Sequence, residues 1–131
     1  MKRWAGAAAV AATILVATQV PIQAVAQAGD AARGQRLFSQ QCRACHTLEQ
    51  GGASTAGPNL HGLFGRKAGT ATGYQSSEAM IKSGIVWDEA TLADYLRDPK
   101  GKVPGTKMVY GGMKQAAQLA DVVAYLKQAT Q

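Results

Sequence analysis

The end of the chain carries apolar residues at helical spacing. Four of them follow the i, i+3, i+4, i+7 rule: Leu119, Val122, Val123 and Leu126. This spacing puts all four on one face, so it predicts an amphipathic helix. No segment alternates apolar and polar residues convincingly, as a half-buried strand would. The pattern therefore predicts an all-α fold.

Two aspartates stand where further helices would begin. Asp30 can cap a helix that starts at Ala31, and Asp88 can cap another. Pro99 would end the second helix, because proline lacks a backbone N–H and clashes with the preceding turn. Residues 77–81 are predicted to form a short helix between them.

Long segments rich in glycine separate these helices, over residues 51–59, 62–73 and 101–112. Large aliphatic side chains are scarce elsewhere. A domain of about 100 residues with so little aliphatic material would have a weak core. A large apolar cofactor at the centre would supply the missing core surface, and the loops could wrap it.

The first 28 residues follow the three-part pattern of a secretory signal. A positive start, Met1–Arg3, precedes a largely apolar run from Ala5 to Val20, and small residues lead up to Ala28. The run has 16 residues, fewer than the roughly 20 that span a bilayer. We therefore predict a signal peptide over residues 1–28, one domain over residues 29–131 and export to the periplasm. A retained membrane anchor is the alternative.

The charge balance narrows the choice of partners. The chain carries 14 Lys and Arg against 8 Asp and Glu, a formal net charge of +6, and loss of Lys2 and Arg3 with the signal would leave +4. So mild a basicity gives little support to nucleic-acid binding and suits acidic protein partners better. We expect that the protein binds no nucleic acid, does not insert stably into a membrane and is a monomer.

The chemistry is indicated by Cys42-Arg43-Ala44-Cys45-His46, a C-x-x-C-H haem-attachment motif. Two thiols three residues apart can reach the two vinyl groups of one haem and form thioethers, and the histidine that follows becomes an axial ligand. A thioredoxin-like redox pair would need a βαβ setting, which the sequence does not show. A zinc site would need four ligands, and His61 is the one obvious extra candidate.

The iron then needs a sixth ligand or an open position. The candidates are His61, Met80, Met108 and Met113. Met80 lies in the short predicted helix, where methionine usually fills a core, and Met113 could belong to the surface or the core. Met108 follows a Pro-Gly turn that can aim its sulfur inward from a loop. The residues favour Met108, with His61 second.

From about residue 29 to residue 127 the chain resembles the class I cytochrome c family. The matching motifs are Cys42-Arg43-Ala44-Cys45-His46, Gly57-Pro58-Asn59-Leu60-His61-Gly62-Leu63-Phe64-Gly65-Arg66-Lys67, Trp87, Tyr95-Leu96, Pro99, Pro104-Gly105-Thr106-Lys107-Met108 and Tyr125-Leu126-Lys127. The resemblance implies the cytochrome c fold, with three to five helices and long loops around one covalent haem. Its first and last helices would cross, Gly34 permitting the close approach.

The resemblance also assigns the ligands of that haem. Cys42 and Cys45 become the thioether sites, His46 the proximal ligand and Met108 the distal ligand. The carbonyl of Pro58 would accept the second imidazole proton of His46, which fixes the orientation of the ring.

Further roles follow from the same likeness. Arg66 and Trp87 would hold a haem propionate, and Tyr95 and Thr106 would line the distal side. His61 would be a structural residue. Two positions depart from the family pattern: Ser76 stands where a propionate-binding tyrosine is frequent, and Met80 where a polar residue is usual. Whether Tyr74, two residues before Ser76, takes the place of that tyrosine is left open by the sequence.

A haem iron with six ligands has no position left for a substrate, so the resemblance implies a single-electron carrier and not an enzyme. Its partners would be acidic faces of a cytochrome oxidase, a quinol-oxidising cytochrome complex or a photosynthetic reaction centre. Exposed cations would attract them, the candidates being Arg36, Arg43, Lys100, Lys107 and Lys114. A sensor or peroxidase, in which the methionine dissociates, is the competing class.

Overall fold

The computed structural model describes residues 28–131, which fold as five α-helices joined by long loops. The predicted signal peptide, except Ala28, lies outside the described residues. Residues 28–131 contain no β-strand, and one isolated bridge pairs Lys67 with Val86. No helix in this part of the chain is long and apolar enough to cross a membrane. The helices are α1 (Ala31–Gln41), α2 (Glu78–Lys82), α3 (Glu89–Arg97), α4 (Pro99–Lys102) and α5 (Ala116–Ala129).

The first and last helices cross in close contact. A Cβ atom on Gly34 would lie 1.9 Å from the carbonyl oxygen of Asp121, so only glycine allows the two backbones to approach this far. Phe38, one turn later, packs against Tyr125 with ring centroids 5.7 Å apart. Both expectations from the sequence, the crossing and the role of Gly34, are confirmed.

Helix α1 begins where Asp30 predicts. The side chain of Asp30 accepts a hydrogen bond from the backbone N–H of Arg33 at 2.9 Å. Asp121 ties the same end of α1 to α5: its carboxylate accepts from the Asp30 backbone N–H at 2.6 Å and from Arg33 Nε at 2.8 Å. These donors, Arg33 first, hold the pKa of Asp121 below its ordinary value.

Replacing Asp121 by asparagine should therefore destabilise the protein in a pH-dependent way. The side chain is 6 % exposed, and hydrogen bonds to charged groups contribute about 1.5–3 kcal/mol, so we expect a loss of that size at pH 7. A depressed folded-state pKa stabilises above the unfolded value of about 3.9, and the gain is lost as pH falls through the folded-state pKa. Urea unfolding between pH 7 and pH 3 should show the two proteins converging in acid. A difference that stays constant would contradict this account, and Glu78→Gln, in an exposed pair with Lys82, is the control.

The structure differs from the prediction at Pro99, where α3 is followed directly by α4. Helix α3 begins after Asp88, whose side chain accepts from the Thr91 backbone N–H at 2.7 Å. Pro99 does end this helix, but it also occupies the first turn of α4, whose second half was predicted to be loop. Asp98 caps α4 by accepting from the Gly101 N–H at 3.1 Å. Proline is well placed there because the first helical N–H has no partner in any case.

Candidate functional site

A cavity of about 400 Å³ lies at the centre of the described fold. Such a volume is within the range of cofactor and ligand sites, about 300–1,000 Å³. Its lining is mainly apolar, with side chains from α1, α3 and α5 and from the loops between them. All nine residues predicted for the site line it: Cys42, Cys45, His46, Pro58, Arg66, Trp87, Tyr95, Thr106 and Met108.

The turn that follows α1 brings both thiols and the imidazole to the cavity. The backbone N–H groups of Cys45 and His46 both donate to the Cys42 carbonyl, at 3.0 and 3.1 Å. Burial, and to a lesser extent the nearby Cys45, raises the pKa of the Cys42 thiol to about 11. The βαβ setting that a thioredoxin-like pair requires is absent from residues 28–131, which contain no β-strand.

His46 is held in one tautomer. Its Nδ1 lies 2.8 Å from the carbonyl oxygen of Pro58. A carbonyl can only accept, so Nδ1 carries the proton and Nε2 keeps a free lone pair. Burial lowers the pKa of the ring, and the bond to Pro58 opposes this shift. Gly57 packs against the imidazole so closely that a Cβ there would lie 2.5 Å from Cε1. The result is a neutral, oriented ring suited to binding a metal.

Met108 enters the cavity from the loop after α4. Its backbone N–H donates to Thr106 Oγ1 at 3.3 Å, and that oxygen lies 2.6 Å from the hydroxyl of Tyr95. Tyr95 is 6 % exposed, and burial raises the pKa of its hydroxyl. The Tyr95–Thr106 pair therefore fixes the loop to α3 two residues before the methionine.

The other candidate sixth ligands separate into two groups. Met80 lines the cavity alongside Met108. Met113 is 4 % exposed within the hydrophobic core, and neither it nor His61 is among the lining residues. The backbone of His61 does contribute, because its carbonyl accepts from Arg66. Of the four candidates, the structure therefore places two methionine side chains, Met80 and Met108, at the cavity.

The charged side chains that line the cavity are Arg66, Lys67 and Lys107, all of them cations. The Arg66 guanidinium donates to the carbonyl oxygens of His61 at 3.0 Å and Asn59 at 3.1 Å. Burial lowers its pKa, yet arginine remains charged in proteins. Trp87 is 7 % exposed and packs on Tyr95 with ring centroids 5.3 Å apart. This lining suits an apolar group that carries acidic substituents.

Two further tyrosines belong to the site: Tyr74, which the sequence left open as a substitute at Ser76, and Tyr110, which it did not assign. Tyr74, which donates to the Ala56 carbonyl at 3.3 Å, lines the cavity beside Ser76. Tyr110, two residues after Met108, also lines it and donates to Gln41 Oε1 at 2.6 Å. Its place in sequence next to Met108 was a usable signal, whereas its partner 69 positions earlier was not.

The donor set fits a covalent haem. It combines two cysteine thiols, one imidazole with a free Nε2 and a thioether around a largely apolar cavity with cationic lining. A zinc centre finds no support here, since within residues 28–131 no group of three or more His, Cys, Asp or Glu side chains is arranged to hold a metal ion.

Comparison with known proteins gives the same identification. A family model described as "Cytochrome c" matches residues 31–130. The chain is 50% identical to a cytochrome c of Chlamydomonas reinhardtii over 107 residues, which covers 82% of this chain and 96% of the relative. It is 48% identical to a cytochrome c of Nigella damascena over 80% of this chain and 95% of the relative. A cytochrome c of Kluyveromyces lactis is 48% identical over 77% of this chain and 92% of its own length.

Proposed function

The chain belongs to the class I cytochrome c family, and from that premise we propose that it is a periplasmic electron carrier whose haem iron is bound by His46 and Met108. It binds one haem c covalently through Cys42 and Cys45, and the family to which it belongs carries electrons. The proposal adds the axial ligands, the compartment and the partners.

One observation carries the ligand assignment. The Nδ1–Pro58 bond at 2.8 Å leaves His46 Nε2 free, in a cavity that Met108 also lines. The bound haem supplies an iron that gains or loses one electron, with no bond to a substrate formed or broken. The protein's part is to orient the imidazole through Pro58 and to hold the Met108 loop through Thr106 and Tyr95. A neutral thioether favours the ferrous state.

The acidic substituents of the haem need partners as well. Arg66 donates to two backbone carbonyls and lines the cavity, and Trp87, whose indole carries an N–H donor, lines it as well. We propose that these two residues bind a propionate. Tyr74 and Ser76 also line the cavity and would complete this polar set.

A carrier is favoured over a peroxidase by the groups around Met108. Peroxidase chemistry requires a distal acid–base group near neutral pKa. Tyr95 is engaged with Thr106, and burial raises its pKa further from neutrality. His61 does not line the cavity.

The proposed partners are the acidic faces of a cytochrome oxidase, a quinol-oxidising cytochrome complex or a photosynthetic reaction centre. Five exposed cations support this: Arg36, Arg43, Lys100, Lys107 and Lys114. Encounters that depend on such surface charges are rapid, short-lived and weakened by salt.

The proposed compartment depends on the first 28 residues. Their signal-peptide pattern supports export, and the family match begins just after them, at residue 31. Cleavage after Ala28 would make Gly29 the first residue. The intact mass of the purified protein measures this directly, and a retained N-terminus would favour the membrane-tethered carrier instead.

The absorption spectrum tests the ligand assignment. We expect the protein, made with haem-attachment machinery, to keep its haem after acid–acetone extraction. The ferric form should show the weak far-red band of a Met–sulfur bond. Met108→Ala should abolish this band and leave the iron open to carbon monoxide in the ferrous form.

Two further variants make that result specific. Met113→Leu changes a buried methionine that does not line the cavity, and should keep the band. A band that survives Met108→Ala and disappears in Met80→Ala would assign the ligand to Met80. If the iron of the parent protein binds peroxide or carbon monoxide readily, the carrier proposal is wrong and the protein is an enzyme or a sensor.

A further inference from the structure

We propose that the hydrogen bond from Tyr110 to Gln41 is a positioning contact that keeps the Met108 segment, residues 106–110, closed over the haem cavity. The hydroxyl of Tyr110 donates to Gln41 Oε1 at 2.6 Å, across 69 positions of sequence. Both side chains line the cavity. The inference rests on the proposed function in one respect, since Met108 is taken as the distal ligand.

The Met108 segment has little backbone structure of its own. Within the described part of the chain, residues 107–112 take part in no backbone–backbone hydrogen bond. The nearest such bonds are Thr106 N–H to the Val103 carbonyl at 3.0 Å and Met113 N–H to the Leu96 carbonyl at 2.8 Å. Between these two points the segment depends on its side chains to stay in place.

Burial supplies only part of that attachment: Met108 and Tyr110 are partly buried against the core, and their neighbours are exposed. Val109, which follows Met108, is 95 % exposed, and Gly111 after Tyr110 is exposed as well. Gly112, two residues after the segment, adopts a positive φ of 99°, a conformation that favours glycine. Apolar packing after Met108 therefore comes from the ring of Tyr110, and the hydrogen bond of its hydroxyl adds a second contact.

Side-chain hydrogen bonds fasten the segment on two sides. On the N-terminal side, Thr106 bonds to Tyr95 at 2.6 Å and Lys107 Nζ donates to the Gln75 carbonyl at 2.7 Å. Between Met108 and Met113, within the described residues, the hydrogen bond from Tyr110 to Gln41 is the one that ties the chain to another segment. Without this bond, the side-chain hydrogen bonds that hold the segment would all lie on the N-terminal side of Met108.

Gln41 is a firm point of attachment. It is the last residue of α1, which is packed on α5, and it directly precedes Cys42. The turn there is closed by two bonds to the Phe38 carbonyl, from Cys42 N–H at 2.8 Å and Arg43 N–H at 3.0 Å. The Tyr110–Gln41 bond thus joins the loop of the distal methionine to the segment that carries the covalent attachment sites.

The effect of losing this bond can be bounded. Tyr110 is half-buried and Gln41 is exposed, so water can replace either partner. The net value of an ordinary hydrogen bond then corresponds to an opening equilibrium shifted about 2- to 12-fold. That range is small against the stability of the fold and large enough to measure at the iron.

Displacement of Met108 by imidazole measures the opening. In ferric Tyr110→Phe, which keeps the ring and removes the hydroxyl, we expect the apparent affinity for imidazole to rise about 2- to 12-fold, followed as loss of the far-red band. Gln41→Leu should give a similar rise. The double variant should match either single variant, because both remove the same bond.

Conservative and neighbouring variants separate positioning from general loosening. Gln41→Glu keeps an acceptor oxygen, so this variant should have the same imidazole affinity as the parent. Gln40→Leu, the preceding exposed residue of α1, and Tyr125→Phe, outside the cavity lining, should leave the affinity unchanged. Unchanged affinity in Tyr110→Phe, or additive effects in the double variant, would overturn the proposal.

Hydrogen exchange keeps the test independent of the ligand. The Met108 amide donates to Thr106 Oγ1, so its exchange reports opening of the segment whichever group binds the iron. Faster exchange in Tyr110→Phe and Gln41→Leu supports the positioning role even if the parent lacks the far-red band, an outcome that would refute the His/Met proposal alone. Equal exchange rates in parent and variants would refute the positioning role.

Discussion

Gly34→Ala should destabilise the protein by about 2–4 kcal/mol, in the upper range of overpacking effects. In a helix interior alanine is about 1 kcal/mol more favourable than glycine, so without a tertiary constraint the change would stabilise. The added Cβ would instead lie 1.9 Å from the Asp121 carbonyl oxygen and 2.8 Å from Tyr125 Cβ. Relief requires α1 and α5 to move apart, which would separate Phe38 from Tyr125. Urea unfolding of the haem-bound protein at pH 7 measures the difference.

A second glycine provides the matched control. Gly111 has no atom within 4 Å of an added Cβ and no left-handed backbone angle. Gly111→Ala should therefore change the free energy of unfolding by less than about 1 kcal/mol, in the stabilising direction if at all. A Gly34→Ala protein as stable as the parent would show that the two helices can separate without cost. The stability of the crossing would then have to come from elsewhere.

The features that the sequence predicted best are local ones. Asp30 and Asp88 mark helix starts because a capping side chain acts on N–H groups two or three residues away, and both do so here. The last helix follows from a spacing of apolar residues that directly reflects its buried face. Helix α4 was missed although Asp98 and Pro99 provide a cap and a first-turn proline, because proline was interpreted there only as a stop.

The sequence predicted the haem-attachment residues more completely than it predicted the sixth ligand. Cys42, Cys45 and His46 are adjacent in sequence, so their chemistry can be inferred from spacing alone. The residues alone left four candidates for the sixth ligand, and the structure brings two of them, Met80 and Met108, to the cavity. The choice between these two stays a prediction until the spectra are measured.

Contacts between distant segments were out of reach of sequence reasoning. The bonds of Tyr110 to Gln41 and of Lys107 to the Gln75 carbonyl join residues 69 and 32 positions apart. Nothing in local composition specifies such partners, since they depend on how the loops wrap the cavity. Asp121 is a similar case: a lone acidic residue within an apolar helix face gains its role from Arg33 and the start of α1.

The largest effect is expected when the haem cannot attach. In a Cys42→Ala, Cys45→Ala variant prepared without haem, we expect the chain to lose its fold. An unfilled cavity costs about 24 cal/mol per Å³, which for the cavity of about 400 Å³ amounts to about 10 kcal/mol. Domain stabilities are about 5–15 kcal/mol in total, so the apoprotein would retain little or none. Far-UV circular dichroism should show lost helicity and no cooperative thermal transition.

Adding haem to the same variant distinguishes the filled cavity from the lost thiols. If the cavity is what requires the cofactor, non-covalent haem should restore helicity, because a ligand that binds only the folded state shifts the equilibrium towards it. The variant keeps His46 and Met108, the proposed ligands of the iron. A haem-free protein that unfolds cooperatively would show instead that α1, α3 and α5 close around the centre without the cofactor. The scarcity of aliphatic residues that first suggested a cofactor would then have another cause.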